Sequence, residues 1–383
     1  MQQETLDQQQ AVGMQFESNA AFPTDTTVRQ QPQPFPPLET SRCERIMAQI
    51  VLEDGVTIQT VPNVLVHVLR QQRQQQNNGD DDESSTSSSS SSDVDAMEED
   101  NDGDADVNQD TTSGATTSST QAFWMHRQIR EAIYGNVWLA RVLQRSTNNR
   151  WQVTPQQCAI KELNWQQIRR ERHRLAEDPL QELAAMQYLR KTLLHPSEDV
   201  VSGMERTHIV MPVAAWSDER HLYSIMPFAA GGELFDMLDA RGGGDENGGG
   251  CSEPEARYWM QQVCSALATL HATGVCHRDV SLENVLVTAT GSVVLIDLGM
   301  CLQHDRRYLV GPQGTCGKWT YMSPEIVRDE AFHGDTVDVW ATGVILFLLL
   351  TGFPPWHRAS PADEHYRYMS AGEWKAFFLD LLC

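Results

Sequence analysis

The sequence has few basic residues, no long hydrophobic run and no closely paired cysteines. It contains 29 Lys and Arg against 52 Asp and Glu, a net charge of -23, whereas nucleic-acid binding requires clustered basic side chains. The longest apolar run, Gly343 to Leu350, is far shorter than the ~20 residues of a membrane span. None of the eight cysteines forms a C-x-x-C pair, which argues against a zinc site or a disulfide framework. These absences exclude nucleic-acid and transmembrane classes.

The first residues also lack the features of a secretion signal. Residues 1–20 are polar and rich in Gln, without the basic start and apolar stretch of a signal peptide. Together with the unpaired cysteines, this predicts an intracellular location, in the cytoplasm or nucleus.

Much of the acidity lies in a low-complexity segment. Residues 80–110 hold thirteen Asp or Glu and no Lys or Arg. Because such segments bury too little apolar surface to offset the entropy of ordering, we predict a disordered Gln/Pro-rich tail at 1–40 and a disordered acidic, Ser-rich linker at 71–121. The acidic linker is suited to binding basic partners.

An apolar island separates these two polar segments. Residues 41–70 form a short segment that can be ordered, with apolar positions from Ile46 to Leu69. Two interpretations remain open for it: a short hairpin followed by a helix, or a segment that collapses or docks on a partner.

The remaining sequence predicts an α+β fold with two lobes. Residues 122–228 alternate apolar and polar positions, which indicates a small antiparallel sheet with one helix, and residues 229–383 show helical periods. Strands are predicted at Val137–Leu143, Cys158–Leu163, Ile209–Ala214 and Leu222–Phe228, and a helix at Leu175–Leu194. In the second lobe, Ser252 and Glu255 match a capping box before a helix that extends to His271. A flexible loop is predicted at 241–250.

The strongest chemical motif is an H-R-D-x-x-x-x-N element. It places Asp279 and Asn284 five residues apart, and Asp297-Leu298-Gly299 follows thirteen residues later. Phosphoryl transfer needs a carboxylate that orients the acceptor hydroxyl and oxygen ligands for Mg²⁺. With these motifs the chain resembles the eukaryotic protein kinase family. The resemblance implies ATP and Mg²⁺ as cofactors, Asp279 as catalytic base, and Asn284 and Asp297 as metal ligands.

Other family elements follow in the expected order. Ala159-Ile160-Lys161 resembles the V-A-I-K strand, which implies that Lys161 reaches the α- and β-phosphates. Glu182 is the predicted ion-pair partner of Lys161, with Glu177 as the competing candidate. Ser323-Pro324-Glu325 stands where the family has A-P-E.

The resemblance also implies a set of residues around the nucleotide. The family's hinge corresponds to Met226–Ala229, an adenine slot to three apolar side chains, and a ribose or basic substrate residue to Glu233. The implied nucleotide-binding residues are Gly135, Val137, Ala159, Lys161, Glu182, Met226, Phe228, Ala229, Glu233, Asn284, Leu286 and Asp297.

Two departures from the family pattern affect the phosphate-binding groups. The glycine-rich loop keeps Gly135 but has Arg130 and Ala132 at its first two glycine positions. Ser281 replaces the Lys that usually follows the catalytic Asp by two residues. We predict that Lys318, seven residues before Glu325, supplies this charge as a third catalytic residue.

The activation segment, residues 297–325, carries a further expectation. Arg278 implies a basic pocket for a phosphate, with Thr315 as the leading acceptor and Tyr308 and Thr320 as alternatives. In addition, Glu233 and Glu283 occupy positions that relatives use to bind basic residues near the target hydroxyl.

The sequence ends inside an apolar helical run, WKAFFLDLLC, which predicts a large lobe that is incomplete at its C-terminus. The leading functional prediction is a protein serine/threonine kinase. The alternative is a pseudokinase or scaffold that binds partners through the fold and the acidic tail. A small-molecule phosphotransferase is disfavoured by the S-P-E element and the long activation segment.

Overall fold

The computed structural model describes residues 29–68, 121–146, 148–242 and 249–382. The predictions for residues 1–28 of the tail and for residues 71–120 of the acidic linker lie outside these ranges. For residues 29–40 the disordered tail is wrong, because Arg29 and Gln30 pair with the activation segment and Phe35 packs against the main core. The described residues form a small lobe rich in strands and a large lobe rich in helices, which confirms the bilobal α+β prediction.

The strands, in chain order, are β1 (Arg29–Gln30), β2 (Ser41–Val51), β3 (Ile58–His67), β4 (Ala122–Ala132), β5 (Gly135–Arg145), β6 (Trp151–Asn164), β7 (Ala214–Ser217), β8 (His221–Pro227), β9 (Gly232–Glu233), β10 (Val275–Cys276), β11 (Val285–Val287), β12 (Val293–Leu295), β13 (Leu302–Gln303) and β14 (Leu309–Val310). The helices are α1 (Trp165–Glu171), α2 (Pro179–Leu193), α3 (Val200–Thr207), α4 (Leu234–Gly242), α5 (Glu253–Ala272), α6 (Pro324–Val327), α7 (Gly334–Thr351), α8 (Glu364–Ser370) and α9 (Trp374–Leu382).

The small lobe is a closed barrel with the strand order β2-β3-β4-β5-β6-β8-β7. The barrel closes because β2 pairs in parallel with both β6 and β7, for example Ile50 with Trp151 and Ser41 with Trp216. The small lobe therefore begins at Ser41 and not at residue 122. Of the two interpretations for residues 41–70, the hairpin is present, but the predicted helix after it is wrong because that stretch forms β3.

The hairpin forms because its apolar side chains point into the barrel and its turn is well capped. Cys43 and Ile50 in β2 and Val61 in β3 are buried. At the turn, the carboxylate of Asp54 accepts hydrogen bonds from the backbone N–H groups of the second and third residues after it, at 2.9 and 2.8 Å. Between them Gly55 adopts φ 72°, a left-handed conformation that glycine tolerates.

The small-lobe helices begin at polar caps. The carboxylate of Asp178 accepts from the N–H of Leu180 at 3.0 Å, and Pro179 occupies the first position of α2, where its missing N–H costs nothing. Asn164 caps α1 and Asp199 caps α3 in the same way. Neither α1 nor α3 was predicted, and the predicted α2 starts four residues too early.

The strand predicted at Ile209–Ala214 is wrong for most of its length. Only an isolated bridge joins Ile209 to Leu295, and β7 starts at Ala214. Pro212 interrupts the run because proline has no N–H to donate to a ladder.

The large lobe is built around α5 and α7. Ser252 precedes α5, and its N–H and hydroxyl donate to the carboxylate of Glu255 at 3.1 and 2.8 Å, as the capping box predicted. The loop predicted at 241–250 lies between α4 and α5, and residues 243–248 of it are outside the described ranges. The helix α7 is long and apolar enough to cross a membrane by length and composition, but more than half of it is buried in the lobe.

The barrel makes a prediction about the hairpin. Ile50 is fully buried against Val64, Leu143 and Trp151, so Ile50→Ala should lower the free energy of unfolding by about 2–5 kcal/mol. Val56→Ala is the matched control, because Val56 is 81% exposed at the hairpin turn. Urea unfolding of the full chain measures both. Equal stability of the two variants would show that the hairpin is not part of the core.

Candidate active site

One buried carboxylate holds the backbone of residues 277–284, the H-R-D-x-x-x-x-N element, here called the catalytic loop. Asp338, in α7, is 1% exposed and accepts from the N–H groups of His277 and Arg278, both at 2.8 Å. His271 lies 2.8 Å from the same carboxylate. Arg278 has φ 68°, a left-handed conformation that costs roughly 1–2 kcal/mol for a non-glycine residue. The two hydrogen bonds stabilise this strained backbone and so fix the position of Asp279.

Lys161 lies among three carboxylates between the lobes. Its Nζ is 2.6 Å from Oε2 of Glu182 and 3.8 Å from Oε1 of Glu177. Carboxylate oxygens of Glu177, Glu182 and Asp297 all lie within 4.8 Å of one another. The structure thus brings both candidate partners to Lys161 and makes Glu182 the closer one.

Burial and charge act in opposite directions on these groups. Burial lowers the pKa of Lys161, but the carboxylates of Glu182, Asp297 and Glu177 outweigh it and the net shift is upward. Burial raises the pKa of Glu182 despite its lysine partner. Burial also acts to raise the pKa of Asp297, but Lys161 and the N–H of Gly299 outweigh it and the pKa is lowered. Asp297 is therefore held ionised, as a metal ligand requires.

Asp279 contacts two other predicted site residues, the metal ligand Asn284 and the catalytic Lys318. The side-chain amide of Asn284 donates to the Oδ2 and to the backbone carbonyl of Asp279, both at 2.8 Å. The Nζ of Lys318 is 3.3 Å from the same Oδ2 and donates to Oγ of Ser281 at 2.8 Å. Lys318 thus brings a positive charge from the activation segment to the position where Ser281 lacks one.

The second oxygen of Asp279 differs from the first in its contacts. Its Oδ1 is buried and has no hydrogen-bond partner among the described residues, and an unpaired buried acceptor calls for a donor. Asp279, Lys318 and Tyr321 line one small pocket. A Cβ on Gly317, which has φ 95°, would lie 3.1 Å from the carbonyl of Arg278, so glycine allows the activation segment to pass close to the catalytic loop.

The predicted adenine-binding side chains share one face of the barrel. Val137 in β5 pairs with Lys161, and Ala159 in β6 pairs with Met226 in β8. Because alternate residues of a strand share a face, Ala159 and Lys161 point the same way. All these apolar residues and Leu286 of the large lobe are half-buried, as the lining of a cleft is. Phe228 is half-buried and Ala229 buried in the segment after β8.

The chemistry of the polar groups fits a nucleotide with a divalent metal. Asn284 and Asp297 offer amide and carboxylate oxygens, the ligand types of Mg²⁺. The N–H of Ile296 donates to the carbonyl of Asn284 at 2.9 Å, which keeps the two ligand-bearing segments adjacent. Asp297 itself has φ 67°, a backbone conformation that Asp tolerates better than most residues.

The family model for the protein kinase domain matches residues 148–375, more than half of the chain. This chain belongs to the protein kinase family. The match begins after β5, so it excludes the hairpin of β4 and β5 that replaces the glycine-rich loop and all of β2 and β3.

Curated relatives of this kinase agree with the family. It is 31% identical over 198 residues to CBL-interacting protein kinase 31 from Oryza sativa subsp. japonica, covering 51% of this chain and 39% of the relative. It is 31% identical over 183 residues to NUAK family SNF1-like kinase 2 from Rattus norvegicus, covering 45% and 28%. With serine/threonine-protein kinase chk-1 from Caenorhabditis elegans the identity is 30% over 193 residues, covering 48% and 36%. The chain spans well under half the length of these relatives.

One side chain of the β4–β5 turn points into the protein. Tyr134 is fully buried, and its hydroxyl donates to the carbonyl of Glu177 at 2.8 Å. On the exposed side of the hairpin, the guanidinium of Arg130 contacts the carboxylate of Glu233. The sequence predicted neither contact. Arg130 was noted only because it replaces a glycine of the glycine-rich loop, and Tyr134 matched no motif.

Gly135 has a structural role in this kinase. A Cβ there would lie 2.1 Å from the backbone carbonyl oxygen of Glu162 in β6, so the absence of a side chain lets β5 approach β6. This packing requirement holds whether or not Gly135 also contacts phosphate.

The basic side chain predicted to bind a phosphorylated residue already has partners. The guanidinium of Arg278 donates to the thiol of Cys316 at 2.7 Å and to the carbonyl of Met300 at 3.2 Å, and it lies 5.3 Å from the ring centre of Phe332. Thr315 is exposed beside it. Phosphorylation of Thr315 remains a prediction, but Arg278 holds the activation segment without it.

The close approach at Gly135 generates a prediction. Gly135→Ala must push β5 away from β6 and should lower the free energy of unfolding by about 1–3 kcal/mol. Gly311→Ala is the control, since a Cβ at Gly311 meets no atom within 4 Å. Thermal unfolding without nucleotide measures the difference. If Gly135→Ala were as stable as the control and lost only nucleotide affinity, the packing role would be wrong.

Proposed function

We propose that this protein is an ATP- and Mg²⁺-dependent serine/threonine kinase that transfers the γ-phosphate of ATP to hydroxyl groups of protein substrates. The observation that carries the proposal is the arrangement of Asn284 and Lys318 on one oxygen of Asp279, while no described residue is a hydrogen-bond partner of the other oxygen. Protein kinases among its relatives, one of them named a serine/threonine-protein kinase, support the same activity.

Asp279 is the proposed base for the acceptor hydroxyl. Its free Oδ1 can accept the hydroxyl hydrogen, while the amide of Asn284 fixes the carboxylate through Oδ2. As the hydroxyl attacks, negative charge grows on the phosphate oxygens, and a preorganised cation nearby lowers the barrier. Lys318 is the proposed cation, because it lies next to Asp279 on the side of Ser281.

The lobes supply the groups for the triphosphate. Asn284 and Asp297 would hold Mg²⁺, which neutralises phosphate charge when bound. Lys161, kept charged by its carboxylate partners, would bind the α- and β-phosphates. Glu182 positions Lys161 through the 2.6 Å ion pair.

A preference for basic residues near the target hydroxyl is part of the proposal. Glu233 and Glu283 are both half-buried; Tyr321 donates to Glu283 at 3.2 Å and Arg130 contacts Glu233. A substrate Arg or Lys can take the place of Arg130 on Glu233. We also propose an intracellular site of action and basic partners for the acidic linker.

The decisive experiment measures transfer of radiolabelled phosphate from ATP to a basic Ser/Thr peptide. The wild-type chain should transfer phosphate with Mg²⁺ and not with a chelator, and Asp297→Ala should be inactive in both conditions. The absence of any Mg²⁺-dependent difference between wild type and Asp297→Ala would contradict catalysis.

A charge-relocation series tests Lys318 separately. Lys318→Thr should lower kcat about 100-fold, and adding Ser281→Lys to that variant should restore most of it, because the charge returns to the same place. Asp279→Ala is the inactive reference. If Lys318→Thr kept full turnover, or if Ser281→Lys gave no recovery, Lys318 would not be the phosphate-binding cation.

A second candidate function is a pseudokinase scaffold. The inward-facing Tyr134 and the Arg130–Glu233 contact favour it, since both occupy the hairpin that covers phosphates in the family. Thermal unfolding with ATP and Mg²⁺ discriminates the two, because a ligand at 100 times its Kd stabilises by about 2.7 kcal/mol. A scaffold that binds no nucleotide shows no shift.

A further inference from the structure

Residues 29–40, here called the strap, lie outside the barrel and contact both lobes. At the start of the strap, Arg29 and Gln30 pair in parallel with Leu309 and Val310 of the activation segment. Three residues later, the N–H of Gln33 donates to the carbonyl of Gln303 at 2.7 Å. The strap therefore holds the activation segment at two separate points through its backbone.

The middle of the strap packs on the outer face of α2. The ring of Phe35 lies 5.9 Å from the ring of Tyr188, and Phe35 and Leu38 both pack against the main core. The hydroxyl of Tyr188 donates to the carbonyl of Thr273 at the end of α5, at 3.1 Å. Phe35 thus covers the side chain that ties α2 to the large lobe.

One glutamine on α2 makes two hydrogen bonds to the backbone of the strap. The side-chain oxygen of Gln187 accepts from the N–H of Glu39 at 3.0 Å, and its side-chain N–H donates to the carbonyl of Glu39 at 2.7 Å. Lys191 pairs with the Glu39 carboxylate at 2.7 Å, but both side chains are exposed, so this ion pair adds little. Backbone recognition by an amide and an aromatic anchor are features of a peptide-binding groove.

The end of the strap continues into the sheet. The hydroxyl oxygens of Thr40 and Ser217 in β7 lie 3.1 Å apart, and the next two residues pair with β7, so the contacts of the strap run from the activation segment, over α2, to β7. Four of the twelve strap residues are proline, at positions 32, 34, 36 and 37. Proline restricts the unbound chain to extended conformations and so lowers the entropy lost on docking.

The opposite face of α2 carries the proposed catalytic contact. Glu182 reaches Lys161 from that face, and the helix is joined to the activation segment by the Gln181 side chain and by the Asp178 N–H, which donates to Gly299 at 3.0 Å. A ligand on the outer face therefore acts on the position of Glu182 and on the activation segment together.

We propose that α2, the edge of β7 and the activation segment form a docking site for an extended, proline-rich peptide with an aromatic anchor, and that the strap fills this site within the same chain. Filling the site positions Glu182 on Lys161 and orders the activation segment. The effect on catalysis rests on the proposed kinase function, whereas the docking itself does not.

Hydrogen exchange on the full chain tests the docking. Phe35→Ala and, separately, Gln187→Ala should raise exchange of the amides in residues 302–310 and in the second half of α2 about tenfold, with α5 unchanged. Met47→Ala is the control, because Met47 is 71% exposed on the neighbouring hairpin. Unchanged exchange in both variants, or the same increase in the control, would overturn the proposal.

Rescue in trans separates docking from general destabilisation. Because the tethered strap has an effective concentration in the millimolar range, a free peptide of residues 29–40 added to the Phe35→Ala chain at about that concentration should restore protection, and the same peptide with Ala at position 35 should not. Failure of the first peptide, or equal rescue by both, contradicts the docking site.

Phosphate transfer measured on the same samples keeps the two proposals apart. We expect Phe35→Ala to lower kcat with little change in the KM for the substrate peptide, and the free peptide to restore kcat. A wild-type chain without transfer activity but with strap-dependent protection would remove the kinase function and keep the docking site. If the wild-type chain is active and neither Phe35→Ala nor Gln187→Ala changes turnover or hydrogen exchange, the kinase function stands and the docking site is wrong.

Discussion

The ion pair between Lys161 of β6 and Glu182 of α2 is the contact on which the site between the lobes depends, because two charges are removed from water and neither is stable there alone. Loss of one partner of such a pair typically costs about 3–5 kcal/mol, and the upward pKa shift of Glu182 shows that burial acts against its charge. The pair persists only if β6 and α2 are held in fixed positions. The closed barrel fixes β6, and the Asp178 cap together with the strap fixes α2.

The proposed role of Lys318 also depends on position, and it accounts for the serine that stands in the catalytic loop where the family usually has a lysine. What a growing negative charge requires is a cation at a certain point in space, and the chain segment that supplies it is secondary. Here the lysine stands on the activation segment and the serine on the catalytic loop. With the role proposed for Lys318, an ordered activation segment is part of the catalytic group itself, so any contact that orders the segment also places the charge.

The sequence predicted those features that depend on spacing within one segment. Asp279, Asn284 and Asp297 could be proposed as site residues because motif spacing reflects a local backbone path, and Lys318 because it lies a fixed distance before the S-P-E element. The hairpin at 41–67 could not be assigned, because its partners are strands far along the chain and its exposed face carries polar residues that weaken the apolar signal. The packing role of Gly135 was hidden for a similar reason, since the neighbouring strand supplies the carbonyl that excludes a side chain.

The closed barrel also has a consequence for how the protein folds during synthesis. The first barrel strand leaves the ribosome early, yet the residues beside it come much later: Thr40 meets Ser217, 177 positions further on, at 3.1 Å. Contacts of such high sequence separation form slowly, because a long loop must close before any of them is gained. The hairpin of β2 and β3 therefore keeps its apolar face uncovered until the whole small lobe has been synthesised. During that interval its exposed apolar surface and unpaired strand edge favour aggregation, which chaperones counter.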